Sequence, residues 1–299
     1  MRTALYIALA VCAVAFTAIW AAAIARRLRR ELPAWIETGI GFLTNLLDTL
    51  GIGSFATTTA FFKFWGVVAD EEIPGTLMVG HTPPSLLQAF IFIAVVHVDS
   101  ATLALMIASS ALGSWLGAGV VSRLPRRKIR IGMGAALSAA AVVMTLTQLH
   151  WVPGGGDSLG LTGLPLAVAA ACNMIFGALM TLGIGLYAPC MMVVSLLGMN
   201  PRAAFPIMMG SCAVLMSVGA VPFIRTTRYN LKAALGLTVG GLPGVLLAAF
   251  VVKSLPLDTV RWLVIVVVLY TATLMLRSAM KEAGLRPVLA TARTGSPLP

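Results

Sequence analysis

Thr49-Leu50-Gly51-Ile52-Gly53-Ser54-Phe55-Ala56 returns as Thr181-Leu182-Gly183-Ile184-Gly185-Leu186-Tyr187-Ala188, 132 residues further along the chain. Both copies sit in the middle of an apolar stretch, at about 36 to 66 and about 164 to 198. A Gly-x-Gly pair permits backbone conformations that end one helix and begin another. Each stretch therefore divides into two half-segments of about 12 to 18 residues. The repeat reaches beyond the motif, since Gly66 answers Gly198 and Pro74 answers Pro206 at the same offset. Further on, Val120-Val121-x-x-Leu124-Pro125 with Ile129-Arg130 answers Val251-Val252-x-x-Leu255-Pro256 with Val260-Arg261, at an offset of 131. The sequence reads as two copies of one unit.

The apolar setting of both copies extends to the whole chain. Of 299 residues, 59% are hydrophobic and 10% charged, against about a quarter charged in a soluble domain. That is too little charge to cover a water-facing surface, which excludes a soluble protein. Runs able to cross about 30 Å of hydrocarbon lie at about 3 to 25, 82 to 98, 101 to 122, 131 to 149, 204 to 224, 232 to 252 and 259 to 278. The first reads as a retained membrane helix, because no small-residue cleavage region separates it from Arg26, Arg27, Arg29 and Arg30. The net charge of +11 is carried by short basic clusters between apolar runs, a pattern of membrane orientation rather than of nucleic-acid binding.

Those clusters decide what the interrupted stretches do. If each stretch enters the membrane and returns as a hairpin, Arg26 to Arg30, Arg123 to Arg130, Arg225 to Lys232 and Arg277, Lys281 and Arg286 all face the cytoplasm. If each stretch crosses, the most basic loop faces outward. The hairpin reading leaves Arg202, Lys253 and Arg261 near the outer face. It predicts an all-α polytopic membrane protein of two inverted repeats, each a re-entrant broken-helix hairpin plus three transmembrane helices, preceded by one extra N-terminal helix. The expected boundaries are 1–30 for that helix and its basic loop, 36–149 and 164–280 for the repeats, 150–163 for an outer glycine-rich linker and 281–299 for a cytoplasmic tail. A cell (inner) membrane location with a cytoplasmic C-terminus follows. An odd number of crossings per unit turns the second copy upside down, and inverted repeats with broken helices are a recurrent plan of secondary transporters.

At these residues the chain resembles the sulfite exporter TauE/SafE family, which carries two copies of a small-residue motif, each opening a homologous half, and a later Leu-Pro segment followed by basic residues. The matching positions are Gly51-Ile52-Gly53-Ser54 and Gly183-Ile184-Gly185-Leu186, and the resemblance covers about residues 36 to 280. It implies efflux of small sulfur-containing anions such as sulfite or organosulfonates, sulfoacetate among them.

An anion in hydrocarbon needs replacement for its lost water, which a half-helix N-terminus offers through free backbone N–H groups and its positive dipole end. The second half-helices are expected to begin at Ser54 and Leu186, so Gly51, Gly53, Ser54, Gly183, Gly185 and Leu186 are the candidate binding backbone. Thr57, Thr58 and Thr59 on the first tip and Tyr187 and Cys190 on the second offer side-chain donors, unless the hydroxyls bond their own helices. Asp48, a carboxylate just before the first break, is the most informative side chain, because intramembrane ionisable residues are rare and functional. It is a candidate for proton coupling or for capping the adjacent N–H groups in competition with substrate. Lys63 is placed to snorkel toward water, and His81 stands at the entrance of a span as a gate or proton carrier.

Other classes are weaker. A channel of the same architecture fits the same pattern, whereas a thiol-redox conduit needs a cysteine in each repeat. Cys172 and Cys190 both lie in the second hairpin, opposite Ile40 and Thr58. Cys12, Cys172, Cys190 and Cys212 stand singly, without CxxC or CxxH spacing. With no Walker motif, metal-spaced His/Asp/Glu set or nucleophile elbow, no enzyme, cofactor or metal is expected, and the partners are a sulfur oxyanion and the bilayer.

Overall fold

The computed structural model describes residues 2–25, 32–69, 71–120, 126–149, 151, 156–180 and 185–294. Among them the chain forms helices α1 (Arg2–Ile24), α2 (Trp35–Thr49), α3 (Ser54–Trp65), α4 (Ile73–Val95), α5 (Ser100–Val120) and α6 (Arg126–Gln148). After the outer linker come α7 (Gly163–Met180), α8 (Tyr187–Leu196), α9 (Ala204–Thr226), α10 (Leu231–Ser254) and α11 (Leu257–Thr294). Seven of them are long and apolar enough to cross a membrane: α1, α4, α6, α7, α9, α10 and α11. The chain is an all-α, multi-pass membrane protein. The seven include α7, expected as half of a hairpin, because its 18 residues already span about 27 Å. They omit α5, expected as a span, whose apolar part counts as the shorter Ser100–Leu116.

Small residues decide which helices pair, since they let backbones approach without a side chain between. Along α2 and α10, a Cβ on Gly41 would lie 2.6 Å from the Gly236 carbonyl oxygen and from Leu237 Cα. The partners advance together, Glu37 against Gly236 and Leu46 against Gly244, so α2 and α10 run in the same direction. So do α5 and α7, where the Asn173 amide donates to the Met106 carbonyl at 2.7 Å and Gly177 lies on Ser110. In contrast α4 and α9 run oppositely: Phe92 stacks on Phe205 at 5.4 Å, and Met78 covers Gly219. Opposed too are α6 and α11, with Gly134 on Leu276 and Arg127 donating to the Ala279 carbonyl at 3.2 Å.

The first hairpin folds back on itself. Asn45 of α2 and Thr58 of α3 reach the two nitrogens of one imidazole, His81, each at 3.0 Å. Thirteen residues of unbroken helix would hold them about 20 Å apart. Ile40 and Phe62, equally far from the break on either side, share a buried cluster with Leu77 and Leu237. Gly51 and Gly53 make the reversal with φ of 96° and 86°, values that favour glycine. The second break, Thr181 to Ile184 with Gly183, lies outside the described residues. Its outgoing helix α8 is inserted among α6, α9 and α11, and Tyr187, Cys190, Met191 and Val194 are buried there. Helix α3 packs chiefly on α2 and α4.

Two expected boundaries move. Helix α4 starts at Ile73 rather than near 82, carrying Pro83 and Pro84 inside it. Proline has no N–H for the carbonyl four residues back, and the freed Gly80 carbonyl accepts instead from the Thr238 hydroxyl at 2.8 Å. His81 consequently stands in mid-helix, fully buried, not at an entrance. Helix α11 continues into the expected tail as far as Thr294.

Asp157, Ser158 and Leu159 of the linker are exposed, yet the linker is stitched to its surroundings. Asn200 N–H donates to the Ser158 carbonyl at 2.8 Å and Asp99 N–H to that of Leu159 at 2.7 Å. Two of the three basic residues that sequence places outside are compensated: Arg202 donates to the Leu255 carbonyl at 2.5 Å, and Arg261 pairs with Asp157 at 3.2 Å and Asp258 at 3.4 Å. Asp99 caps α5, accepting from Thr102 N–H at 2.8 Å. That backbone N–H holds its carboxyl below the usual carboxylate range. Asp99→Ala is expected to cost about 1 kcal/mol. A depressed carboxyl stabilises above its unfolded value and loses the effect as pH falls through its folded value, so the gap in melting temperature between variant and wild type should shrink below about pH 4.

Candidate functional site

The first break and the residues that follow the second meet at a cavity of about 50 Å³, lined by Asp48, Ile52, Gly53 and Ser54 on one side and Gly185, Leu186, Tyr187 and Ala188 on the other. Helices α4, α7, α9 and α11 complete it with Ser85, Met180, Cys212, Met216 and Thr271. The helices that lead into the cavity are packed in parallel, α2 along α10 and α7 along α5.

Asp48 dominates its polarity. The carboxylate is 3% exposed and is compensated by three donors: Ser54 N–H at 2.6 Å, Gln88 Nε2 at 3.0 Å and the Tyr187 hydroxyl at 3.2 Å. One donor comes from each of α3, α4 and α8, so the carboxylate ties both tips to a span. Among the described residues no lysine or arginine lines the cavity. Asp48 therefore occupies the Ser54 amide that the sequence offers to an anion, putting a negative charge at the helix start where the dipole favours one. At the second tip no acceptor meets the Leu186 or Tyr187 N–H among the described residues.

Of the other residues singled out by sequence, Gly53, Ser54, Gly185, Leu186 and Tyr187 line the cavity. Gly51 turns the chain behind it, against Met191. The Thr57 hydroxyl is spent on its own helix, donating to the Ser54 carbonyl at 2.8 Å, and Thr59 likewise donates to Phe55 at 2.7 Å. Thr58 bonds His81. Lys63 is exposed in the last turn of α3, away from the cavity. Cys190 is buried in α8.

His81 belongs to a second polar chain beside the first. Asn45 Nδ2 donates to the carbonyls of Gly41 at 2.8 Å and Leu237 at 3.4 Å, which leaves Oδ1 facing the imidazole. Nδ1 of His81 must then carry the proton, and Nε2 accepts from the Thr58 hydroxyl. The structure adds two residues to the site, making Gln88 a partner of Asp48 and Asn45 the anchor of His81. An amide three residues before the intramembrane Asp48 is the signal that would have found Asn45, whereas Gln88, seven residues from His81, carries no such signal.

No family model matches the chain, and no curated protein or solved structure matches it either.

Proposed function

We infer that the protein is a secondary transporter of small sulfur-containing anions such as sulfite or sulfoacetate, built from two inverted repeats. The observation that carries this reading is a cavity lined by the first break and by the residues that follow the second, with an ionisable side chain on a half-helix N-terminus in its wall. The repeat is supported by contacts that obey the sequence offset. Gly113 lies on the Met174 carbonyl and Gly244 on the Phe42 carbonyl; the glycines are 131 residues apart and their partners 132. Inversion is supported by direction, because the corresponding helices α4 and α9, and again α6 and α11, lie antiparallel.

The anion is held between the two tips. Leu186 and Tyr187 N–H face it from one side, and on the other Asp48 competes for Ser54 N–H. Protonating Asp48 removes the repelling charge and frees that N–H for a substrate oxygen, so one proton accompanies each anion. The channel reading separates from this one by coupling. The test is flux of sulfoacetate into proteoliposomes under an imposed pH gradient, with the membrane potential clamped. Accumulation against the anion gradient is expected; flux that only dissipates the gradient would leave a channel, and no flux of sulfoacetate or sulfite would overturn the assignment.

A further inference from the structure

Three sulfur side chains close one wall of the cavity: Met180 at the end of α7, and Cys212 and Met216 one turn apart on the same face of α9. All three are buried. Cys212 Sγ lies 3.7 Å from Met180 Sδ, and the Ser85 hydroxyl meets Met216 Sδ at 3.5 Å. Beside the thiol stands the Tyr187 hydroxyl, which also bonds Asp48. We propose that Met180, Cys212 and Met216 form a binding site for a soft monovalent metal ion of the copper(I) or silver(I) class.

Ligand chemistry, spacing and charge each support the site. Thioether and thiolate sulfurs are the ligands that soft ions select, while hard divalent ions such as magnesium and calcium take oxygen donors. Among the described residues no cluster of His, Cys, Asp and Glu could hold a metal, so the thioethers define the preference. Metal–sulfur bonds of about 2.3 Å place two sulfur ligands about 3.8 to 4.0 Å apart, and Cys212 and Met180 already stand at 3.7 Å. Charge also balances. When the ion binds, a metal–sulfur bond forms at Cys212 Sγ and the thiol proton passes to the Asp48 carboxylate. The loaded site, a thiolate with a monovalent cation beside a carboxylic acid, is neutral, as a site in hydrocarbon needs. A divalent ion would leave a buried positive charge. This site goes beyond anion transport and does not depend on it.

The test uses full-length protein in detergent with Cys12, Cys172 and Cys190 replaced by alanine. Copper(I) is titrated under reducing conditions against a coloured chelator, and silver(I) by calorimetry. One ion per chain is expected, with affinity falling at least tenfold in both Met180→Leu and Met216→Leu, substitutions that conserve volume. X-ray absorption of the copper(I) form should show sulfur neighbours only. Unchanged affinity in the two leucine variants, or no saturable binding with Cys212 present, would overturn the site. Neither result bears on sulfoacetate flux, which is measured without metal.

Discussion

Asp48→Asn is expected to let sulfoacetate equilibrate across a vesicle membrane without ever accumulating it. If one proton travels with each anion, as proposed, a pH difference of one unit is worth about 1.4 kcal/mol, a tenfold accumulation with the potential clamped. Asparagine keeps an oxygen for Ser54 N–H, which preserves the capped start of α3. That neutral oxygen competes weakly with an anionic substrate, because hydrogen bonds to charged acceptors are about twice as strong. Binding therefore survives while proton linkage disappears, and the accumulation ratio falls from about ten to one. Exchange of labelled for unlabelled sulfoacetate, measured from pH 5 to 8, should become independent of pH. A variant that still accumulates anion tenfold would remove Asp48 from the coupling step and leave it a structural acceptor.

Leucine at Gly113 or Gly244 should be the most destabilising single substitution of the helix packing. Each glycine rests directly on a backbone carbonyl, that of Met174 or Phe42, and a carbonyl cannot rotate away as a side chain can. Overpacking of this kind costs about 3 kcal/mol, well above the roughly 1 kcal/mol that replacing a helical glycine gains in propensity. The sign reverses where space is open. Gly132 of α6 has nothing within 4 Å of a built Cβ, so Gly132→Ala should raise stability by up to about 1 kcal/mol. Thermal unfolding in detergent measures all three. Equal losses at Gly113 and Gly244 support the repeat, and tolerance at one of them alone would break the correspondence between the halves.

The path from sequence to site was uneven. The breaks at Gly51 and Gly53 were legible because a glycine pair inside an apolar stretch has a direct backbone meaning, repeated at Gly183 and Gly185. Asp48 was legible because charge is so scarce. The start of α4 was not: Pro83 and Pro84 read as a boundary, and what keeps the helix running is Thr238, 158 residues from the carbonyl it satisfies. The partners of Asp48 were hidden for the same reason, Gln88 being 40 and Tyr187 139 residues away. Local chemistry shows where a helix breaks, whereas the groups that compensate a buried charge are chosen by tertiary contact. The sulfur wall has no local signal at all, since Met180, Cys212 and Met216 each read as ordinary core.

The chain of hydrogen bonds from Thr58 through His81 to Asn45 has a direction, every donor pointing from α3 toward α2. A proton wire works only if it can be reset after each passage, which requires each member to turn over and present its other face. Asn45 is held against turning by the two carbonyls on its Nδ2. The imidazole can fasten the two arms of the first hairpin to α4, but it is a one-way chain and conducts nothing twice. Under the proposed proton coupling, that leaves Asp48 rather than His81 as the proton carrier.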